Sequence, residues 1–208
     1  MTQKDDAAPT IGRPREFDRD VALQAAMLVF WRKGFLATSM NDLCDAMGIR
    51  SPSLYAAFGS KEKVYLEAIG LYNSVADSLI WAHADDGPTA RESIHKVLLG
   101  AANVMPGFDG KPGGCMVNLA TLGDEIPGSI PQTVRQARTD SLALIRSALE
   151  RGLAAGELPK STNIERLSRF YLGVVQGMAV QAYDGATQED LVGVADAAMA
   201  AWPVKRQA

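Results

Sequence analysis

The chain predicts an all-α protein, on three observations. Apolar residues recur at helical three–four spacing, capping side chains and Gly/Pro breaks punctuate the chain, and no stretch alternates long enough for a strand. Asp18 caps a first helix that carries the stripe Leu23, Ala26, Met27 and Phe30 to about Lys33, with Gly34 as its stop. Thr38 or Ser39 caps a second, with Asn41 or Asp42 three residues on, and Gly48 follows its last residue, Met47. Ser51-Pro52 opens a third helix with a capping side chain and a proline at the first helical position. Gly59-Ser60 stops it and caps a long fourth helix from Lys61 to about His83.

Thr89 and Glu92 form a capping box for a fifth helix to about Met105. PGFDGKPGG, from Pro106 to Gly114, reads as a loop. Four more helices follow, at about Cys115–Asp124, Gln132–Ala155, Asn163–Ala182 and Gln188–Ala201, making nine. They divide into a flexible basic arm (1–14), a helix-turn-helix unit (15–62) and a larger helical part (63–208).

The composition, 47% hydrophobic and 22% charged, suits a globular core. The N-terminus, MTQKDDAAPT, has no apolar run and reads as neither signal peptide nor membrane anchor. Two cysteines in unlike contexts, Cys44 and Cys115, suggest no disulfide framework and a cytoplasmic chain. Net charge is −3, yet Met1–Lys63 holds nine Lys/Arg against eight Asp/Glu, and the remainder twelve against sixteen. With Arg13, Arg15 and Arg19 clustered before the first helix, that asymmetry permits nucleic-acid binding without demanding it.

In TSMNDLCDAMGIRSPSLYAAFGSK the spacing of Cys44, Gly48 and Leu54 is that of a helix-turn-helix. A small residue lets two helices cross closely, glycine accepts a left-handed turn, and leucine fills the angle between them. A third helix of about seven residues is about 10 Å long. It enters a major groove about 12 Å wide. With Leu54 and Phe58 inward, its outer arc holds Pro52, Ser53, Ala56 and Ala57, with Tyr55 at the edge. Ser53 and the alanine methyls offer modest base readout, so Arg50, Arg13 and Arg15 would add to it, while Thr38, Ser39, Ser51, Tyr55 and Lys61 suit phosphates. A structural three-helix bundle without DNA is the plainer alternative.

GRPREFD, then ALQAAMLVFWRKGFLATSMNDLCDAMGIRSPSLYAAFGSKEKVYLEAI, closely resembles the N-terminal domain of the TetR/AcrR family of bacterial transcriptional regulators. The likeness runs from about Gly12 to Ile69, on Phe30 and Gly34, Thr38-Ser39, Gly48, Leu54-Tyr55, Phe58 and Ser60-Lys61-Glu62. It implies DNA contacts at Thr38, Ser39, Arg50, Ser51, Ser53, Tyr55 and Lys61, and an all-helical C-terminal domain that binds a small molecule and dimerises. The chain departs from the pattern at Ala57, where relatives often carry histidine or tyrosine, and at Cys44, where alanine is usual.

The last two helices are rich in small residues, among them Gly173, Gly177, Ala179, Ala182, Ala195 and Ala198, interleaved with large apolar ones. That pattern fits a four-helix homodimer interface, or else an internal core. A dimer would set two reading helices about 34 Å apart on a palindromic operator. Cys115 follows Gly113-Gly114 at an expected helix N-terminus, where free amides would lower its pKa and the glycines would leave it accessible. Some TetR relatives carry a Gly-Cys pair in a similar place and sense electrophiles or oxidants through it. The alternatives are a half-buried structural residue or a Cu(I) site with Met105, Met116, His83 and His95, whose mutual geometry nothing in the sequence sets. An effector pocket would lie between the middle helices, bordered by Trp81, Met105, Phe108, Met116, Tyr171 and Gln176. No cofactor or metal is assigned.

The best-supported function is a homodimeric, non-enzymatic repressor, released from DNA by a small-molecule effector or by modification of Cys115. A constitutive DNA-binding dimer and a cysteine-dependent enzyme are the alternatives. Two histidines far from Cys115 in sequence speak against the second of these.

Overall fold

The computed structural model describes residues 17–107, 111–120, 123 and 125–204. Among the described residues there are eight α-helices and no strand: α1 (Arg19–Ala37), α2 (Met40–Met47), α3 (Ser51–Phe58), α4 (Lys61–Leu79), α5 (Ala90–Val104), α6 (Ile130–Ala154), α7 (Ile164–Tyr183) and α8 (Gln188–Ala200). A short 3-10 turn, Trp81–Ala84, joins α4 to α5. The all-α class holds.

α4 links the two ends of the molecule. It packs on α1, α5 and α6. Val64, Tyr65, Ala68, Ile69, Tyr72 and Ala76 form its buried stripe, at the spacing expected of a helix with a covered face. Beyond it, α5 packs on α8 and α6, and α6 on α7. Ile94, Leu98, Ile145, Leu149, Val175 and Leu191 fill the space between these helices.

Most helix starts follow their caps. Asp18 accepts from the amides of Asp20 and Val21. Ser39, not Thr38, caps α2, with Asp42 completing the reciprocal box. Asn163 and Thr187 cap α7 and α8. The expected box at Thr89 forms on the threonine side, its hydroxyl accepting from the Glu92 amide at 3.1 Å.

Three expectations are corrected. Gly34 does not end the first helix but kinks it, at φ 73° and ψ 174°, and α1 resumes to Ala37. The fourth helix stops at Leu79 rather than His83. Ile80 leaves helical geometry and is buried together with Ala84, and Arg151 holds the Ala84 carbonyl at 2.6 Å. Gly100 of α5 lies so close to the Leu79 carbonyl that a Cβ there would stand 2.8 Å from it. Finally, the described residues of the expected 115–124 helix, 115–120 and 123, are not helical. A single turn follows Cys115, and the Val117, Asn118 and Ala120 carbonyls that a helix would pair internally accept from the Arg138 guanidinium instead.

Candidate DNA-reading surface and cysteine cavity

The reading surface is held from behind. Leu43, Leu54 and Phe58 are buried beneath α2 and α3. Gly48 takes the left-handed conformation that the turn needs, at φ 64°, and its amide and that of Ile49 close the end of α2. Arg19 braces the other side. Its guanidinium binds the Glu67 carboxylate at 2.7 Å and lies 4.3 Å from the centre of the Phe58 ring. Ser51 does not cap α3 as expected: it is the first helical residue, Arg50 stands at the N-cap without a side-chain bond, and Pro52 sits in the first turn.

This bracing leaves Arg50, Ser51, Pro52, Tyr55 and Ala56 exposed, with Ser53 and Ala57 half-buried. Tyr55 is 50% exposed although large and apolar. Lys61, half-buried beside this face, lies 4.4 Å from the Phe35 ring centre and donates to the Leu36 carbonyl at 3.5 Å. Partial burial lowers its pKa. Ser39 is exposed, but its hydroxyl donates to Asp42 at 2.8 Å as part of the α2 cap. Thr38 departs from the expected contact set. It is 1% exposed, and its hydroxyl donates to the Gly34 carbonyl at 2.7 Å, bracing the α1 kink. Arg13 and Arg15 lie outside the described residues.

Cys115 sits in the second half, and its surroundings overturn two expectations. It is 8% exposed, and burial pushes its thiol pKa up, against hydrogen bonds from Tyr72 and from the Asn118 and Val117 amides and the nearby Arg138 charge. The glycines before it do not open access to the sulfur. A Cβ on Gly113 would collide with the Ala182 carbonyl, and one on Gly114 would stand 2.7 Å from that of Ala179. They let the turn press against α7. Asn118 donates its amide to the sulfur at 3.4 Å, and Tyr72 contributes its hydroxyl. The resting group is a thiol wrapped in donors that would stabilise its anion.

Cys115, Tyr72, Trp81 and Met105 border a cavity of about 110 Å³ with Val117 and Leu144. Met116, the next residue, faces a different cavity of about 300 Å³ with Phe30, Phe35 and Tyr65 beneath the α1 kink. Tyr171 and Gln176 border neither. Tyr171 is fully buried on α7, its ring centre 6.1 Å from that of Trp202, and burial raises its pKa to about 12. Phe108 lies outside the described residues. His83 pairs with Asp86 and His95 with Asp196. Among the described residues, no three His, Cys, Asp or Glu side chains cluster as metal ligands would.

Comparison with known proteins adds to this geometry. The family model for bacterial regulatory proteins of the tetR family matches residues 22–68, and a tetracyclin-repressor-like C-terminal domain matches 99–190. The HTH-type transcriptional repressor ComR of Escherichia coli (strain K12) is 32% identical over 201 residues, covering 92% of each chain. The chain belongs to the TetR family. Another Escherichia coli (strain K12) relative, the HTH-type transcriptional repressor BdcR, is 39% identical over 118 residues, covering 56% of this chain and 58% of its own. A solved cysteine mutant of the TetR family transcriptional regulator CifR, complexed with 26-base-pair operator DNA, is 41% identical. Its TM-score is 0.84, with 92% of this chain and all of that one covered.

As a TetR-family member the chain is a DNA-binding transcriptional regulator. Among the described residues no helix is long and apolar enough to cross a membrane. Sequence reasoning missed several residues that organise the site. Tyr72 reads in sequence as one more position of the α4 stripe, and Arg138 lies some twenty residues from the carbonyls it gathers. Glu62 accepts from the Ser129 amide at 3.3 Å at the start of α6, where Gly128, at φ 62°, makes room for the carboxylate. No spacing rule in the sequence announces any of these contacts.

Proposed function

We propose that this TetR-family regulator is a homodimeric repressor that leaves a palindromic operator when a small thiol-reactive effector modifies Cys115. The observation that carries the proposal is the pairing of a braced α3 face with a buried, donor-wrapped cysteine in a cavity of about 110 Å³. Ligand pockets for drug-sized molecules are typically about 300 Å³ or larger, so this cavity suits a few-atom electrophile. With an activated alkene, sulfur bonds to the β-carbon and the thiol proton ends on the α-carbon, leaving a thioether. The cavities also favour a switchable regulator over a constitutive one, because a filled core would leave an effector nowhere to act.

The division of labour follows the chain. Residues 15–62 read DNA, preceded by the arm (1–14), and residues 63–208 sense and dimerise. On the DNA side, Arg50, Ser51, Ser53, Tyr55 and Lys61 are the proposed contacts, with Arg13 from the arm and Arg15 immediately after it. Dimerisation is assigned to α7 and α8. A Cβ added at Gly173, Gly177 or Gly193 would meet nothing within 4 Å beyond its own helix. Phe170, Val180 and Tyr183 are exposed nearby. Helix glycines cost about 1 kcal/mol each relative to alanine, which a close-packed partner would justify. Ala179, Ala182, Ala195 and Ala198, by contrast, are buried within the chain itself.

Transmission starts at the Cys115 turn. A bulky adduct cannot keep both the Tyr72 bond and the Asn118 amide contact. Tyr72 of α4 stands edge-on to Trp31 of α1, with ring centres 5.0 Å apart, so displacing it moves the helices that carry the reading unit. Arg138 would lose its three carbonyls at the same moment, freeing α6 from the turn. A shift of about 1.4 kcal/mol in the equilibrium between the two states is tenfold in DNA affinity.

The test is to select bound sequences from a random DNA library and measure affinity by fluorescence anisotropy before and after treatment with acrolein, a four-heavy-atom activated alkene. The wild type releases DNA on treatment, whereas Cys115→Ser binds it and stays bound. A Cys115→Ser protein that still releases DNA on treatment rules out this mechanism. Failure to select any sequence rules out the operator reading itself.

A further inference from the structure

A third cavity, of about 510 Å³, lies between α1, α4 and the end of α5, separate from the one that Cys115 borders. Met27, Leu28 and Trp31 of α1 form one wall and Leu71, Val75 and Leu79 of α4 another. Val75 and Leu79 are 45% and 47% exposed, so its mouth is an apolar surface with no cover from the described residues.

Gln24 of α1 lines it with a carboxamide that both donates and accepts, whereas Lys111, Asn103 and Trp31 present donors. No Asp or Glu is among its described lining residues, and its one ionic group there is Lys111. Asn103, at the end of α5, already has its carbonyl oxygen occupied by Gln188, which donates at 2.6 Å. Its amide nitrogen therefore remains as a donor. Trp31 borders the cavity, and its indole N–H is buried without an acceptor. Donors and a cation without a counter-anion among the described residues, beside an apolar trough, select an amphipathic carboxylate over a neutral oil or a cation.

We propose that this cavity is a second small-molecule site, for a medium-chain carboxylate. The chain lies along Leu71, Val75 and Leu79, and the carboxylate faces Lys111 and Asn103. Because α1 supplies one wall and α4 and α5 the others, an occupant holds the reading unit at one angle to the helices behind it. Tyr72 borders both this cavity and that of Cys115, so the two sites share a wall. The occupant therefore biases the same α1–α4 joint without any covalent step.

Calorimetric titration of the full-length Cys115→Ser protein with decanoate and decanol tests the site apart from thiol chemistry. Decanoate binds at least several-fold tighter than decanol to the parent. Lys111→Gln loses that preference while still binding decanol. Val75→Trp, which fills the trough from an exposed position and leaves the circular dichroism spectrum unchanged, binds neither. Equal affinity for acid and alcohol in the parent, an unchanged preference in Lys111→Gln, or full binding in Val75→Trp would each overturn the proposal. None of these results bears on whether Cys115 is the electrophile target.

Discussion

At the residue scale, Cys115 shows how burial and hydrogen bonding compete. Removal from water disfavours the thiolate, while Tyr72, two amides and the Arg138 charge favour it, and burial wins. Its pKa lies above the ordinary thiol value, so the reactive anion is a minor species near neutrality. The rate of alkylation by an excess of acrolein should accordingly keep rising as pH increases through about 9, without the plateau near neutrality that a depressed pKa would give. Tyr72→Phe removes one donor to the anion, moves the pKa further up and slows alkylation at fixed pH. A Tyr72→Phe protein that reacts as fast as the wild type would show that the hydroxyl does not support the thiolate. The sequence suggested the opposite direction for this pKa. It displayed the Gly-Gly-Cys triplet but not the α7 carbonyls that the glycines approach.

At the element scale, the helix-turn-helix was legible because its determinants are local. Ser39 with Asp42, Gly48 with the last carbonyls of α2, and Pro52 in the first turn of α3 each act over no more than four residues, where capping and turn rules apply. Ser39→Ala should destabilise α2 by about 1 kcal/mol, read as a lower urea midpoint. It should weaken operator binding only as far as the fold is lost. Tyr55→Ala and Lys61→Ala should instead leave stability nearly unchanged and lower DNA affinity across sequences. Each should reduce the slope of affinity against salt, by about one phosphate contact for Lys61 and less for the uncharged Tyr55. Unchanged slopes and affinities would remove both residues from the contact set. The missing helix after Cys115 is the element that local rules could not supply. Cap-like glycines and an apolar stretch promised a helix, but Arg138, a distant residue, took the carbonyls.

At the scale of the whole molecule, function depends on how the reading unit is joined to the helices behind it. Glu62 is placed at the start of α6, where the Ser129 amide meets its carboxylate and Gly128 leaves it room. Gly128→Ala would strain a backbone held at φ 62° and push into Glu62. Operator affinity should fall several-fold in that variant while far-ultraviolet circular dichroism stays helical. Intact affinity would show that the contact does not position the reading unit. The dimer face makes its own prediction. Gly177→Arg points into open space within one chain, so the monomer should fold. Sedimentation should then report monomers, and operator binding should drop by orders of magnitude as the second half-site is lost.

By itself the sequence determined the helical class, most helix starts and the helix-turn-helix, because caps, turn glycines and a three–four stripe act through neighbours along the chain. It also placed Cys115 as the residue to watch. Only the tertiary structure decided that its sulfur is buried rather than exposed and that Thr38 braces α1 instead of facing outward. It also separated the predicted pocket residues among different cavities and the core. These outcomes depend on groups far apart in sequence, such as Arg138 with the Cys115 turn, Tyr72 with the sulfur and Glu62 with α6. Whether such groups meet is set by how α1, α4, α6 and α7 pack, which no local pattern encodes.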